Sequence, residues 1–349
     1  PFKIKLLLED IDELIEKKNL QFVEHNVEEI VEGDTISIKF NIFEGEKILV
    51  ERINILGNNV TNESVIRSEL LLDEGDPFTN LKLSKSISEI KARRIFGEVN
   101  SSISTGSSSD LRIIDITVEE KPTGEVSAGA GVGTNGGSFA FMVTENNWLG
   151  EGKAVSFDAD ISEESIKGTL SYVDPNYDFL GNSLNYSASS TKNDKPDQGY
   201  ENTIIAASVG TGFEQYEDIF AKLGMNLTFD DLQTQDSASD SLKKQAGDFT
   251  EFSAYYGFSY DTRDRAFMPT EGSIIGFDQS FPIYADKAFL GNTLFASGYK
   301  TLGENIIGAS KVYFTSVHGL GDDNVRLSKR RNLSSKKLRG FKKGKVGPK

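Results

Sequence analysis

Between residues 124 and 314 apolar and polar positions alternate over about eleven short segments, and the connections between them change character at every second turn. In residues 154–161, Val155, Phe157, Ala159 and Ile161 point one way, and Ser156, Asp158 and Asp160 the other. Residues 221–230 set Ala221, Leu223, Met225, Leu227 and Phe229 against Lys222, Gly224, Asn226, Thr228 and Asp230. Ile166, Gly168, Leu170 and Tyr172 form a third apolar stripe, and Phe252, Ala254, Tyr256, Phe258 and Tyr260 a fourth. Strand side chains project to opposite sides with period two, so each segment predicts a strand with one apolar and one hydrophilic surface. A soluble sandwich gives the same alternation.

The connections favour a membrane barrel. One class is compact and carries aromatics with Gly or Pro: Asn147-Trp148-Leu149-Gly150, Pro175-Asn176-Tyr177-Asp178-Phe179-Leu180-Gly181 and Phe267-Met268-Pro269. Between these fall polar stretches, 191–202 and 231–248, which read as long loops. Short turns at one end, long hydrophilic loops at the other and an aromatic girdle are features of outer-membrane barrels, with Trp148, Tyr177 and Phe179 as turn and girdle candidates. No apolar run approaches the roughly 18 residues of a spanning helix, so insertion must be by strands. Backbone groups in lipid must pair internally, and a closed barrel is the solution left.

Charge narrows the partners. The formal net charge is −15, but from Arg326 onward there are eleven Lys and Arg and no acid, leaving 27 basic against 53 acidic residues before it. So acidic a body argues against nucleic acid, which needs clustered cations. There is no Cys, hence no disulfide framework and no thiolate metal site. The chain opens at Pro1 and stops at Gly347-Pro348-Lys349, and eleven strands make an odd set where single-chain bacterial barrels have an even one. Both ends therefore look cut.

Residues 46–121 follow another grammar. A strand with Ile53 and Ile55 ends at Gly57-Asn58-Asn59, and a helix is predicted over 62–72. Gly75-Asp76-Pro77 breaks the chain, Thr79 caps a second helix with Leu83, Ile87 and Ile90 on one face, and Gly97 is its predicted stop. Strands near 100–104 and through Ile114, Ile116 and Val118 complete a β-α-α-β-β unit. Residues 1–45 read as the end of a preceding copy, with a helix through Leu8, Ile11, Leu14 and Ile15 and strands ending in residues 36–42.

Here the chain resembles a known family. The unit with Ile55-Leu56-Gly57-Asn58 and Ile95-Phe96-Gly97 is similar to a POTRA domain. The glycine-rich first strand, the Asn146-Asn147-Trp148-Leu149-Gly150 turn and the late Leu338-Arg339-Gly340-Phe341 together resemble the outer-membrane protein assembly factor BamA family, in which Val usually stands where Leu338 does. The resemblance implies an α+β POTRA region followed by an all-β antiparallel transmembrane barrel, with about eleven of sixteen strands present. Residues 1–45 would be the end of one POTRA domain, 46–121 the complete last one, and 122–349 the first part of the barrel, with 319–349 a basic loop facing the lumen.

Gly131-Val132-Gly133-Thr134-Asn135-Gly136 matches the dinucleotide fingerprint letter for letter, but that fingerprint must open a helix, and residues 138–143 read as a strand. No cofactor is implied. Gly129, Gly131 and Gly133 instead thin the first barrel strand, since glycine removes packing contacts and adds backbone freedom. Two meanings stay open: a tight bend, or a weak seam where the first strand can part from the last and template a client strand, as the resemblance suggests. The resemblance also implies that the basic loop folds back and docks Arg339 on the inner wall as a plug or brace. Asp158, Asp160, Asp230 and Asp278 fall on the hydrophilic side of the alternation and are its candidate acidic partners.

No catalytic constellation stands out. His25 and His318 are far apart in sequence, and pairs such as Glu119-Glu120 and Asp322-Asp323 follow from an acidic composition. The expectation is therefore no enzyme and no metal. The resemblance implies an assembly factor of the bacterial outer membrane with its POTRA region in the periplasm. Its partners would be unfolded outer-membrane clients, accessory assembly lipoproteins and the lipid bilayer. A polypeptide secretion pore of the same superfamily is the alternative reading, and a soluble all-β adhesin a distant third.

Overall fold

The structure is a computed structural model that describes residues 11, 14, 15, 23–32, 35–44, 48–133, 136–178, 180–265, 268–303, 306–321 and 324–331. Two strands come first, β1 (Val23–Glu32) and β2 (Thr35–Glu44), paired antiparallel. Of the predicted early helix only residues 11, 14 and 15 are described, and they are helical. The chain divides into two compact units: residues 1–123 with the turn Leu149–Gly152, and Gly124–Trp148 with Lys153–Lys349.

In the first unit β3 (Leu49–Leu56) is followed by α1 (Glu63–Arg67), α2 (Asn80–Ala92), β4 (Phe96–Thr105) and β5 (Leu111–Glu120). The sheet order is β3-β5-β4, with β3 parallel and β4 antiparallel to β5. Apolar residues on one face of the sheet (Val50 and Ile53, to either side of a register shift, with Ile114, Ile116 and Val118) bury against Val65, Ile66, Leu83 and Ile90 of the helices, and this makes the core. Thr79 caps α2, its side chain accepting from the Lys82 N–H. Two expectations need correction. The first helix stops at Arg67 rather than near Leu72, because the chain tightens into i+3 turns, with Glu69 N–H on Ile66 O and Leu70 N–H on Arg67 O. Gly97 does not end α2. Arg94, at φ 59°, turns the chain, and Gly97 sits in β4 where the register shifts between Phe96 and Glu98.

Two details tie this unit together. Glu120 accepts from the amides of Asn59, Val60 and Thr61; burial pushes its carboxyl up, but those hydrogen bonds outweigh it and hold it below the usual range. In the turn, Gly150 O accepts from Asn62 N–H at 2.8 Å, and Gly152 O from Arg93 Nη2 at 2.6 Å. Gly150 has φ 75°, and a Cβ there would stand 2.1 Å from Val60 O, so glycine is required on both counts.

The second unit is one antiparallel sheet of eleven strands in sequence order. They are β6 (Gly124–Gly133), β7 (Gly136–Trp148), β8 (Lys153–Ser162), β9 (Ser165–Asp174), β10 (Ser183–Lys195), β11 (Tyr200–Tyr216), β12 (Ile219–Thr234), β13 (Gly247–Asp261), β14 (Gly272–Ala285), β15 (Phe289–Gly303) and β16 (Ile306–Gly319). A short α3 (Asp240–Lys243) sits between β12 and β13. Of the two polar stretches predicted as long loops, 191–202 is mostly strand, whereas 231–248 keeps a twelve-residue connection between its strands. The ladder runs on through Lys195↔Tyr200 and Leu232↔Gly247, leaving connections of 196–199 and 235–246. Polar side chains do not stop a main-chain ladder, so alternation in apolarity marks the greasy band and not the strand ends.

Directly opposite residues share a face, so the register sorts the side chains. Phe157↔Leu170 and Ile161↔Ile166 lie on the apolar face, as do Leu223↔Tyr256 and Leu294↔Phe314. Of these, Phe157, Leu170, Ile161, Ile166, Leu223, Leu294 and Phe314 are exposed. One polar line crosses this face. Tyr256 Oη donates to Gln279 Oε1 (2.9 Å), Gln279 Nε2 to Asn292 Oδ1 (2.7 Å) and Asn292 Nδ2 to Ser316 Oγ (3.4 Å), spanning β13 to β16. The Tyr256 ring also stands 6.0–6.4 Å from Phe258, Phe277 and Phe281.

Candidate functional site

The polar face gathers its buried charge around the segment after β16. Leu320 N–H donates to Ala288 O at 2.9 Å, and the described residues 324–331 then bring Arg326 onto the wall. Asp230 of β12 is opposite Phe249 of β13, and Glu251 lies two residues along on the same face. Arg326 Nη1 is 3.4 Å from Asp230 Oδ2, and Nη2 is 3.6 Å from Glu251 Oε2. Both Arg326 and Asp230 are 3% exposed. The guanidinium carbon lies 4.4 Å from the Phe249 ring centroid and 5.3 Å from that of Phe289. A cation over an aromatic face in a desolvated site gains about 2 kcal/mol.

Neighbours complete the site. Ser328 Oγ donates to Asp230 Oδ2, and Lys329 Nζ forms an ion pair with Glu251 Oε2 at 2.8 Å. Leu327 N–H donates to Gln245 Oε1 at 3.2 Å. From Asp230 a line runs back across the wall: Asn202 Nδ2 donates to Asp230 Oδ1 (3.4 Å), Asn193 Nδ2 to Asn202 Oδ1 (3.0 Å) and Ser165 Oγ to Asn193 Oδ1 (2.9 Å). Burial lowers the pKa of Arg326 against the pull of Asp230 and Glu251, yet a guanidinium stays charged. Removing one member of such a buried pair costs about 3–5 kcal/mol, because the other is left uncompensated.

All four candidate aspartates lie on this face, but they do not converge. Asp230 meets the segment after β16. Asp278 instead pairs with Lys222 at 2.9 Å, the contact passing over Gly257, where a Cβ would stand 2.1 Å from Asp278 Oδ1. Asp158 accepts from Ser156 Oγ at 3.5 Å, and Asp160 is opposite Lys167. Leu338, Arg339, Gly340 and Phe341 lie outside the described residues, as does Phe179. Trp148 is the last residue of β7, and Tyr177 N–H bonds Asn182 O in the turn after β9. The sequence reading passed over Glu251, Phe249 and Arg326. Alternation already put Glu251 and Phe249 on the hydrophilic side, but nothing local marked them.

The glycines of the sheet fall into two kinds. Gly210 and Gly224 lie under the Tyr255 phenol and Gly276 under the Phe295 ring, so an added Cβ would collide. Among the described residues Gly129 has no heavy atom within 4 Å of its absent Cβ, and Gly131 only Ser138 Oγ at 3.4 Å. Both lie in β6, together with Gly133. Among the described residues β6 pairs with β7 alone.

Residues 147–349 match the Omp85 superfamily domain. The chain belongs to the Omp85 superfamily. Residues 48–121 match the POTRA domain, described as a surface antigen variable number repeat. The chain is 25% identical over 321 residues to outer membrane protein assembly factor BamA of Neorickettsia risticii, covering 90% of this chain and 43% of that protein. It is 27% identical over 199 residues to the BamA of Neisseria meningitidis serogroup B, covering 56% of this chain and 24% of that one. It thus spans less than half the length of these curated relatives. The crystal structure of BamA from Haemophilus ducreyi lacking POTRA domains 1–3 superposes with a TM-score of 0.72 at 22% identity, over 100% of this chain and 70% of that one. That likeness shows the fold, and the resemblance to the BamA family stands. In an Omp85 barrel the apolar face meets lipid and the polar face is the lumen.

Proposed function

We propose that this Omp85 chain is the core of an assembly factor that folds β-barrel proteins and inserts them into the bacterial outer membrane without covalent chemistry. The observation that carries the reading is β6. Its lumen face is bare at Gly129 and Gly131, and among the described residues nothing crowds a Cβ at Gly129 and only Ser138 Oγ approaches one at Gly131, which supports a strand weakened for opening rather than for close packing. A strand that forgoes about 0.5–1 kcal/mol per glycine is a weak seam. A seam that opens exposes a row of unpaired backbone groups, and these lower the barrier for a client's first strand to pair in the membrane.

The POTRA unit would lie in the periplasm and receive unfolded clients. β3 and β4 are the edges of its sheet, and residues 100–105 of β4 are exposed. Edge pairing binds extended peptides through backbone hydrogen bonds with little sequence preference, and accessory lipoproteins would dock on the same region. The segment after β16 braces the lumen through Arg326, and the basic stretch with Arg339 would continue that brace.

The test is complementation of a strain depleted of the protein. Gly129→Val with Gly131→Val should slow insertion of outer-membrane barrels while leaving the variant folded and in the membrane. Unaltered insertion by a protein whose first hairpin exchanges amide protons more slowly would defeat the seam. Intact insertion with lost export of a polypeptide would favour the secretion pore instead.

A further inference from the structure

Asp230, Glu251 and Phe249 are fixed by the β12–β13 ladder, and Phe289 opens β15, so the walls around Arg326 belong to the barrel and only the occupant comes from the loop segment. Asn202 holds the second oxygen of Asp230 independently of that segment. The site suits one kind of cation. Two aromatic faces match a flat, weakly hydrated ion, and two carboxylates spaced along one wall match a fork of donors, whereas the compact ammonium of Lys329 is ion-paired with Glu251 alone among the described residues. The fit of the resident is imperfect: among the described residues Arg326 Nε is buried without a hydrogen-bond partner. A guest carried on a separate chain is free to satisfy that donor.

We infer that these four side chains form a guanidinium-binding cage in the lumen wall, self-occupied by Arg326, and that on withdrawal of the loop the cage takes an arginine side chain of an unfolded polypeptide in the lumen. The inference rests on the barrel reading proposed above. Competition between resident and incoming arginine makes the loop an exchangeable stopper. Ser328 and Lys329 hold the same two carboxylates and leave with it, so Asp230 and Glu251 are uncovered in one movement.

The complete protein, refolded into planar bilayers, tests this through its conductance with L-arginine amide or L-lysine amide added at equal ionic strength. Arg326→Ala should raise the conductance. Arginine amide should then block the opened pore about tenfold more tightly than lysine amide. Adding Asp230→Asn and Glu251→Gln to that variant should abolish the preference. If the alanine variant does not give a heat-modifiable barrel, Arg326→Lys retains the charge and should show the same tenfold preference. Equal block by the two amides, or a preference that survives loss of both carboxylates, overturns the cage while leaving the barrel standing. A wild-type chain that forms no heat-modifiable pore removes both.

Discussion

Two glycines on the lumen face of one sheet should respond to the same substitution with opposite signs. At Gly224 an alanine Cβ would stand 2.4 Å from Val209 O and 2.5 Å from Tyr255 Oη. The phenol can swing away, but the carbonyl belongs to the β11–β12 ladder, where Val209 is opposite Met225, and cannot move without breaking it. Overpacking of this kind costs about 1–3 kcal/mol. At Gly129 the Cβ meets nothing within 4 Å among the described residues, and the gain is the reduced freedom of the unfolded chain, about 0.4–1 kcal/mol. The two variants should therefore differ by about 1.4–4 kcal/mol, roughly 10- to 900-fold in the unfolding equilibrium. Reversible urea unfolding of the refolded barrel, read by heat-modifiable migration, measures it. A shift in the same direction for both, or Gly224→Ala equal to wild type, would refute the argument that crowding separates these glycines.

Two further predictions follow from the polar groups. Asp264, in the turn before β14, accepts from the Thr270 hydroxyl and from the amides of Thr270 and Glu271, and its pKa is lowered to about 2. A depressed carboxyl adds stability above its unfolded value, which is lost as pH falls through the folded one. Protection of those two amides from hydrogen exchange, corrected for intrinsic rates, should thus fall between about pH 4 and pH 2, and Asp264→Asn should remove the pH dependence; protection unchanged across that window would contradict the assignment. Gln279→Leu makes the lipid face greasier yet should destabilise the barrel by about 1–3 kcal/mol, because Tyr256 Oη and Asn292 Oδ1 lose their partner. A more stable variant would show that this polar line is incidental.

Much of the fold was legible along the chain because strand alternation is a local property. Val155 and Asp158 must face opposite ways wherever the strand goes, and the register places Asp158, Asp160, Asp230 and Asp278 on one face. The Thr79 cap and the Leu83–Ile90 face of α2 are equally local. Strand ends were not legible, because the ladder continues through polar residues once outside the apolar band.

Which residues meet is a property of the folded sheet. Asp278 and Asp230 look alike in sequence. One is spent on Lys222 across a glycine, and the other sits under Arg326, which the chain returns to the wall 96 residues later. Gly129 and Gly224 are likewise the same letter in the same alternation, and the neighbours on adjoining strands alone make one free and the other crowded. Gln279 would read as an error on a greasy stripe, until register puts it in line with Tyr256, Asn292 and Ser316. The period of a strand is fixed by its own backbone, whereas contact depends on register and loop return, which are set by the whole sheet at once.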